Sequence, residues 1–221
     1  MLGEINQILK IPYWILGEGL KKYNQPHRKY HSTSHIDSLF ERIEEYPDLT
    51  VEEISLLKTV AVFHDCVYVP GAKDNEEKSS EVLGHLLGGL HSVDKDTLAE
   101  IKQIILDTAK MESDSRLGKI YIELDTAILR SDSWFDLIQW EHGIFHEFQK
   151  FPLDIYIRER CKFLEEIYDK TGNKLLHNLI QYVKEREYRI AYYPGSFNPF
   201  HVGHLNILEK AEAQGYDKVI I

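Results

Sequence analysis

The chain has 221 residues, 43% hydrophobic and 28% charged, enough to bury one good core, or one core and a small appendage. A formal net charge of −10, histidines counted neutral, opposes any non-specific grip on nucleic acid, and a small phosphorylated ligand must meet a local positive centre. No run approaches the roughly 18 apolar residues of a membrane span, Met1-Leu2-Gly3-Glu4 lacks the blocks of a signal peptide, and two cysteines, Cys66 and Cys161, form no disulfide framework, so a reducing cytoplasm is expected.

Helical periodicity dominates to about residue 187. In Tyr30-His31-Ser32-Thr33-Ser34-His35 the two histidines stand four apart, so a helix sets them one turn apart on one face. They could serve a metal and a substrate, or simply be solvated residues at a helix start. Arg28 and Lys29 just before them either receive phosphate oxygens, Arg28 through its planar fork, or are surface cations. Next, Thr50-Val51-Glu52-Glu53 fits a capping box opening a helix whose core-facing positions are Ile54, Leu57 and Ala61. One further turn reaches His64 and Asp65. A carboxylate at the inner end of a buried stripe is costly unless paired or bound to a metal.

Further helices are predicted at about 77–90, 96–110, 117–131, 133–149, 153–170 and 173–187, punctuated by Gly71, Gly88-Gly89, Gly118 and Gly172. In the third of these, Leu117, Tyr121, Leu124 and Ile128 form a stripe that contains Asp125. Two inward carboxylates and a histidine suggest a shared cation. At about 187/188 the pattern changes. Tyr188–Tyr193 reads as a strand, Pro194–Pro199 as a turn-rich loop, about Gly203–Ala213 as a helix and Asp217–Ile221 as a second strand. This is a βαβ unit, which belongs to a parallel sheet.

Three segments carry a resemblance: Pro26-His27-Arg28-Lys29-Tyr30-His31 running to His35-Ile36; Phe63-His64-Asp65-Cys66-Val67-Tyr68 followed by Asp74-Asn75-Glu76-Glu77-Lys78-Ser79; and Leu124-Asp125-Thr126-Ala127-Ile128-Leu129. In this order they resemble the HD phosphohydrolase superfamily, closest to a bacterial subgroup of predicted metal-dependent members. The likeness spans residues 10–187 and implies a helical bundle. It also implies that His35, His64, Asp65 and Asp125 hold a divalent ion (Mn²⁺, Mg²⁺, Zn²⁺, Fe²⁺, Co²⁺ or Ni²⁺), Asp65 belonging to the catalytic machinery as well. Such an ion polarises a phosphoryl oxygen and lowers the pKa of a bound water that attacks phosphorus. The His31–His35 spacing is similar to that of cyclic-nucleotide phosphodiesterases, which implies His31 as general acid. Glu76 is left with three roles: a second metal, a bound water, or a helix cap. Met111 stands near a position where relatives often carry histidine. A di-iron oxygenase would need two more histidines, and only His85 and His91 lie between Asp65 and Asp125.

Residues 192–204, Tyr-Tyr-Pro-Gly-Ser-Phe-Asn-Pro-Phe-His-Val-Gly-His, resemble the His-x-Gly-His nucleotidyltransferases, among them pantetheine-phosphate and nicotinamide-mononucleotide adenylyltransferases. A glycine loop before a helix N-terminus suits phosphate binding. The resemblance implies that Gly195, Ser196, Phe197, His201, Gly203 and His204 bind the nucleotide, with His201 and His204 steadying charge as pyrophosphate leaves. Asn198 departs from the Asp of many relatives.

The expectation is a mainly α protein: an HD-type bundle over 1–187, then, over 188–221, the start of a Rossmann-like nucleotidyltransferase domain that stops within or just after its second strand. The function expected first is metal-dependent hydrolysis of a phosphate ester or anhydride in a small, nucleotide-like substrate, within a bifunctional protein. The alternative is adenylyl or cytidylyl transfer, from ATP or CTP, with an auxiliary HD metal domain. Oligomeric state is left open, a homo-oligomer included.

Overall fold

The computed structural model describes residues 2–88 and 93–221. His91 and Gly89, named above, lie outside the described residues. Among those described, eleven α-helices and one two-stranded parallel sheet make up the regular structure, short 3₁₀ turns aside. By their contacts they fall into two compact units, Met1–Lys150 and Phe151–Ile221. The boundary expected at 187/188 falls inside the second.

The first unit contains α1 (Leu2–Leu9), α2 (Tyr13–Lys21), α3 (Thr33–Glu45), α4 (Val51–Phe63), α5 (Asn75–Leu87), α6 (Lys95–Thr108), α7 (Arg116–Asp125) and α8 (Trp134–Glu147). The organising element is α4. Its start is the expected capping box: Thr50 Oγ1 accepts from Glu53 N at 3.2 Å, and Thr50 N donates to Glu53 Oε2 at 2.9 Å. Every residue from Ser55 to Phe63 is buried, so this is an enclosed central helix rather than an amphipathic one. It packs against α1, α2, α3, α5, α6 and α7. Gly19 lets α2 come close: a Cβ there would meet Val62 Cγ1 at 2.6 Å and the Phe63 ring at 3.1 Å.

Phe63 is fully buried at the end of α4, directly before His64. Phe63→Ala is expected to lower the unfolding free energy by about 3–5 kcal/mol, as large-to-small changes in tight cores do. Urea titration would read this as a lower midpoint with an unchanged slope.

Two local departures from the predicted elements matter for the site. His31 is not helical. The chain runs extended through Ser32 (φ −112°, ψ −178°) and α3 begins only at Thr33, so His31 precedes the helix while His35 lies in its first turn. The helix predicted over 117–131 stops at Asp125: Thr126 leaves helical geometry, its hydroxyl bonds back to the Ile122 carbonyl at 2.6 Å, and a 3₁₀ turn follows at Ala127–Arg130.

The second unit contains α9 (Leu153–Thr171) and α10 (Lys174–Glu185), packed on each other, and then β1 (Ile190–Tyr192), α11 (Val202–Ala213) and β2 (Lys218–Ile220). Gly172 ends α9 in the left-handed region at φ +66°, where glycine carries no side-chain penalty. The strands pair in parallel, Ile190 with Lys218 and Tyr192 with Ile220, which is the expected βαβ topology. Arg186 and Arg189 N both meet the Asp217 carboxylate, tying the start of β1 to that of β2. Cys66 and Cys161 are both buried thiols. No described helix is long and apolar enough to cross a membrane.

Candidate functional site

Three chain segments deliver the candidate ligands to one place in the first unit. His35 comes from the first turn of α3, His64 caps α4, Asp65 follows it, and Asp125 closes α7. His35 Nε2 lies 3.1 Å from Asp125 Oδ1; His64 Nε2 lies 3.1 Å from Asp65 Oδ2 and 3.6 Å from Asp125 Oδ1. One ligand atom each from His35, His64 and Asp125 falls within 4.8 Å of the others. Asp65 adjoins this trio through His64.

The donors suit a cation. His64 Nδ1 faces the Ala61 carbonyl at 2.9 Å, which can only accept, so the proton sits on Nδ1 and the Nε2 lone pair points inward. That Nε2 is buried and makes no hydrogen bond among the described residues, although two carboxylates flank it. A lone pair aimed at two anions is repulsive until a positive charge sits between them. A proton can supply that charge: burial pulls the His64 pKa down, but Asp65 and Asp125 outweigh burial and raise it to about 9. A divalent ion can supply it better, because two imidazoles and two carboxylates suit the borderline and hard divalent metals. Burial raises the carboxyls of Asp65 and Asp125, yet the neighbouring histidines leave both below the usual range, so they stay ionised. Burial lowers His35.

His31 stands beside this cluster. Its Nε2 is 3.7 Å from Asp65 Oδ2, and its Nδ1 is 2.7 Å from Glu147 Oε2. Glu147 is a functional candidate that sequence reasoning missed. Its side chain is wholly buried, and Oε1 accepts three successive backbone N–H groups, from Lys29 (2.9 Å), Tyr30 (2.8 Å) and His31 (2.8 Å). Tyr68 donates to Oε2 at 2.8 Å. Burial disfavours the Glu147 carboxylate, but these donors hold its pKa down at about 2. No local pattern in 133–149 could have announced a residue whose partner lies 116 positions away. Gly143, one turn back on α8, allows the approach, since a Cβ there would press Tyr30 Cβ at 3.1 Å.

The two cations before His31 are placed differently. Lys29 is exposed. Arg28 is only 5% exposed, and its guanidinium is committed: Nε to Gln25 Oε1 (2.9 Å), Nη1 to the carbonyls of Asp65 (2.7 Å) and His31 (3.3 Å), Nη2 to the carbonyl of Cys66 (3.1 Å). Instead of a free fork for phosphate, the structure holds a brace between the His31 loop and the backbone after His64. Arg28→Met would leave the carbonyls of residues 65 and 66 without these donors. The expected cost is about 1–3 kcal/mol of stability and about 10–100-fold in metal affinity, read by thermal unfolding and metal titration. Glu76 lies half-buried in the first turn of α5, its carboxyl raised by burial and, further, by the charge of Asp65. Met111 has a positive φ of 52°. His85 lies in the last turn of α5.

In the second unit, His201 is the N-cap of α11. Its Nδ1 accepts from Gly203 N at 3.1 Å, and His201 N donates to His204 Nδ1 at 3.3 Å. The two rings stack at 3.8 Å between centroids, and Phe197 and Tyr193 pack around the buried His204. Gly203 is tight: a Cβ would sit 3.0 Å from the His201 ring. Gly195 and Ser196 lie on the exposed loop before the helix.

Comparison with known proteins bears on this second region. The cytidylyltransferase-like family model matches residues 192–221. The phosphopantetheine adenylyltransferase of Mycoplasma capricolum subsp. capricolum is 67% identical over 33 residues, 15% of this chain and 23% of the relative. That of Mycoplasma mycoides subsp. mycoides SC is 64% identical over the same extent. The chain thus spans about a quarter of the length of the curated relatives it matches. No solved structure matches the chain.

Proposed function

We propose that the chain combines a metal-dependent phosphohydrolase of HD type, over residues 1–187, with the opening of a nucleotidyltransferase domain over 188–221. One observation carries the hydrolase reading: the buried Nε2 of His64, turned towards two ionised carboxylates and a second imidazole, with His31 alongside. His35, His64, Asp65 and Asp125 would hold the ion. When bound, it would polarise a phosphoryl oxygen and make water a better nucleophile at neutral pH. The substrate class is a small phosphate ester or anhydride, nucleotide-like by association with the second region. The site opens to solvent where Asp65, Asp125 and His31 keep 14, 20 and 18% of their side-chain surface, so substrate would enter beside His31.

The test is a panel of phosphorylated metabolites assayed with Mn²⁺, Mg²⁺, Zn²⁺, Fe²⁺, Co²⁺ and Ni²⁺ after chelation. Metal retained by the protein, with hydrolysis that follows metal loading, supports the reading. A chain that neither retains metal nor hydrolyses any ester or anhydride overturns it.

The family match favours a second reading: nucleotidyl transfer of the adenylyl type, with the helical unit in an auxiliary metal-binding role. His201, Gly203 and His204 at the start of α11 would receive the phosphates there. Release of pyrophosphate from ATP in the presence of phosphopantetheine, together with an empty hydrolysis screen, would decide for this reading.

A further inference from the structure

Glu147 is more than a structural acid under the loop that carries His31. A buried carboxylate normally needs its charge met by a cation or by several donors, and Glu147 meets five donors divided sharply between its two oxygens. Oε1 gathers the backbone N–H groups of residues 29, 30 and 31. Oε2 takes Tyr68 Oη–H and the His31 ring. The first set fixes the backbone; the second fixes the ring. An ionised carboxylate can only accept, so His31 Nδ1 must carry the hydrogen, and Nε2 is left facing Asp65 at 3.7 Å. Rotation of the ring is blocked as well. His31 packs edge-on against Tyr30 with centroids 4.9 Å apart, and against the Tyr68 ring at 4.3 Å.

We propose that Glu147 is the positioning residue for His31: it keeps the hydrogen on Nδ1 and aims Nε2 into the metal centre, so that in the doubly protonated ring Nε2 hands its proton to the departing oxygen of the substrate and the ring is left as the Nδ1–H tautomer. The inference rests on the hydrolase reading above and deepens it. In the step itself, a water oxygen forms a bond to phosphorus while the bond from phosphorus to the leaving oxygen breaks. The electron pair of that bond stays on the leaving oxygen, which takes the Nε2 proton. The attacking water releases one proton to solvent, and the neutral Nδ1–H imidazole regains one from solvent at Nε2, so the protons balance. The overall change is ester plus water to alcohol plus phosphate.

Glu147→Gln separates the two jobs. The amide oxygen can still accept the three backbone N–H groups, but the NH₂ group would now face Nδ1 and impose the opposite tautomer. The first readout is independent of turnover: ¹⁵N NMR of the His31 ring in the metal-free chain. Nδ1–H in the wild type and Nε2–H in Glu147→Gln support the proposal. Nε2–H in the wild type, or the same tautomer in both proteins, overturns it. Should the variant not fold, the wild-type spectrum still decides.

The second readout is hydrolysis with Mn²⁺ of p-nitrophenyl phosphate, whose leaving group needs no proton, against phenyl phosphate, which benefits from one. Glu147→Gln should lose about 100-fold or more in kcat on the phenyl ester, little on the p-nitrophenyl ester, and nothing further in a His31→Gln background. Equal losses on both esters would mean that Glu147 merely supports the fold. If the wild type hydrolyses neither ester, the metabolite panel above decides the hydrolase reading, while the spectrum still decides the orientation of His31.

Discussion

Under the proposed hydrolase reading, alanine at His64 is expected to abolish binding of a divalent ion and to cut hydrolysis by more than about 100-fold, the upper end of what supporting residues around a metal are worth. The ring contributes the one buried nitrogen of the cluster that has no hydrogen-bond partner among the described residues, set between Asp65 and Asp125. Removing it takes away a proposed ligand and leaves two buried carboxylates facing each other, a charge arrangement that repels itself. The metal-free variant should therefore also melt below the metal-free wild type. Elemental analysis after gel filtration, alongside hydrolysis and a melting curve, checks all three. A variant that keeps a full complement of metal would remove His64 from the ligand set.

A second large effect is expected from pH. In the metal-free protein the His64 ring holds its proton up to about pH 9. A metal must displace that proton, so affinity should climb about tenfold per pH unit from about pH 7 towards 9 and then level off. Stability of the metal-free chain should move the other way. A histidine whose folded pKa lies above its ordinary 6.5 contributes stability that is whole below about 6.5 and is lost as pH rises through about 9. Glu147 has the opposite sign: its pKa falls from an ordinary 4.5 to about 2, so its contribution is whole above about 4.5 and is lost as pH falls towards 2. The metal-free protein should be most stable between about 4.5 and 6.5 and weaken on both sides. Urea midpoints across this range, with metal titrations from pH 7 to 9, test the pair. Metal affinity that does not change with pH would show that His64 carries no proton to displace.

Much of the architecture is legible in local pattern. The capping box at Thr50-Glu53, the glycine stop at Gly172 and the change from helical period to strand–loop–helix–strand near residue 188 are short-range signals, and the structure contains each as an element boundary or a βαβ unit. His64, Asp65 and Asp125 could be picked out because a carboxylate or imidazole inside an apolar stripe needs a partner, and His35 because its segment resembles the first motif of the HD superfamily. Local pattern fails where a distant group wins. The four-residue spacing of His31 and His35 suggests one helix face, but Glu147 collects the N–H groups of residues 29–31 and holds that stretch outside the helix. Arg28 looks like a surface fork for phosphate, yet four hydrogen bonds, three of them to carbonyl oxygens, already occupy four of its five N–H donors.

By itself, then, the sequence determined which polar residues stand inside apolar stripes and where the helical region yields to a parallel βαβ unit, because capping, periodicity and turn preference act over a few residues. Tertiary structure alone decided how the groups meet. It closed His35, His64 and Asp125 to within 4.8 Å of one another, enclosed α4 on every side, and brought Glu147 from the far end of the first unit beneath His31. Those outcomes depend on burial and on the exclusion of water around paired charges, and no neighbouring residue encodes them.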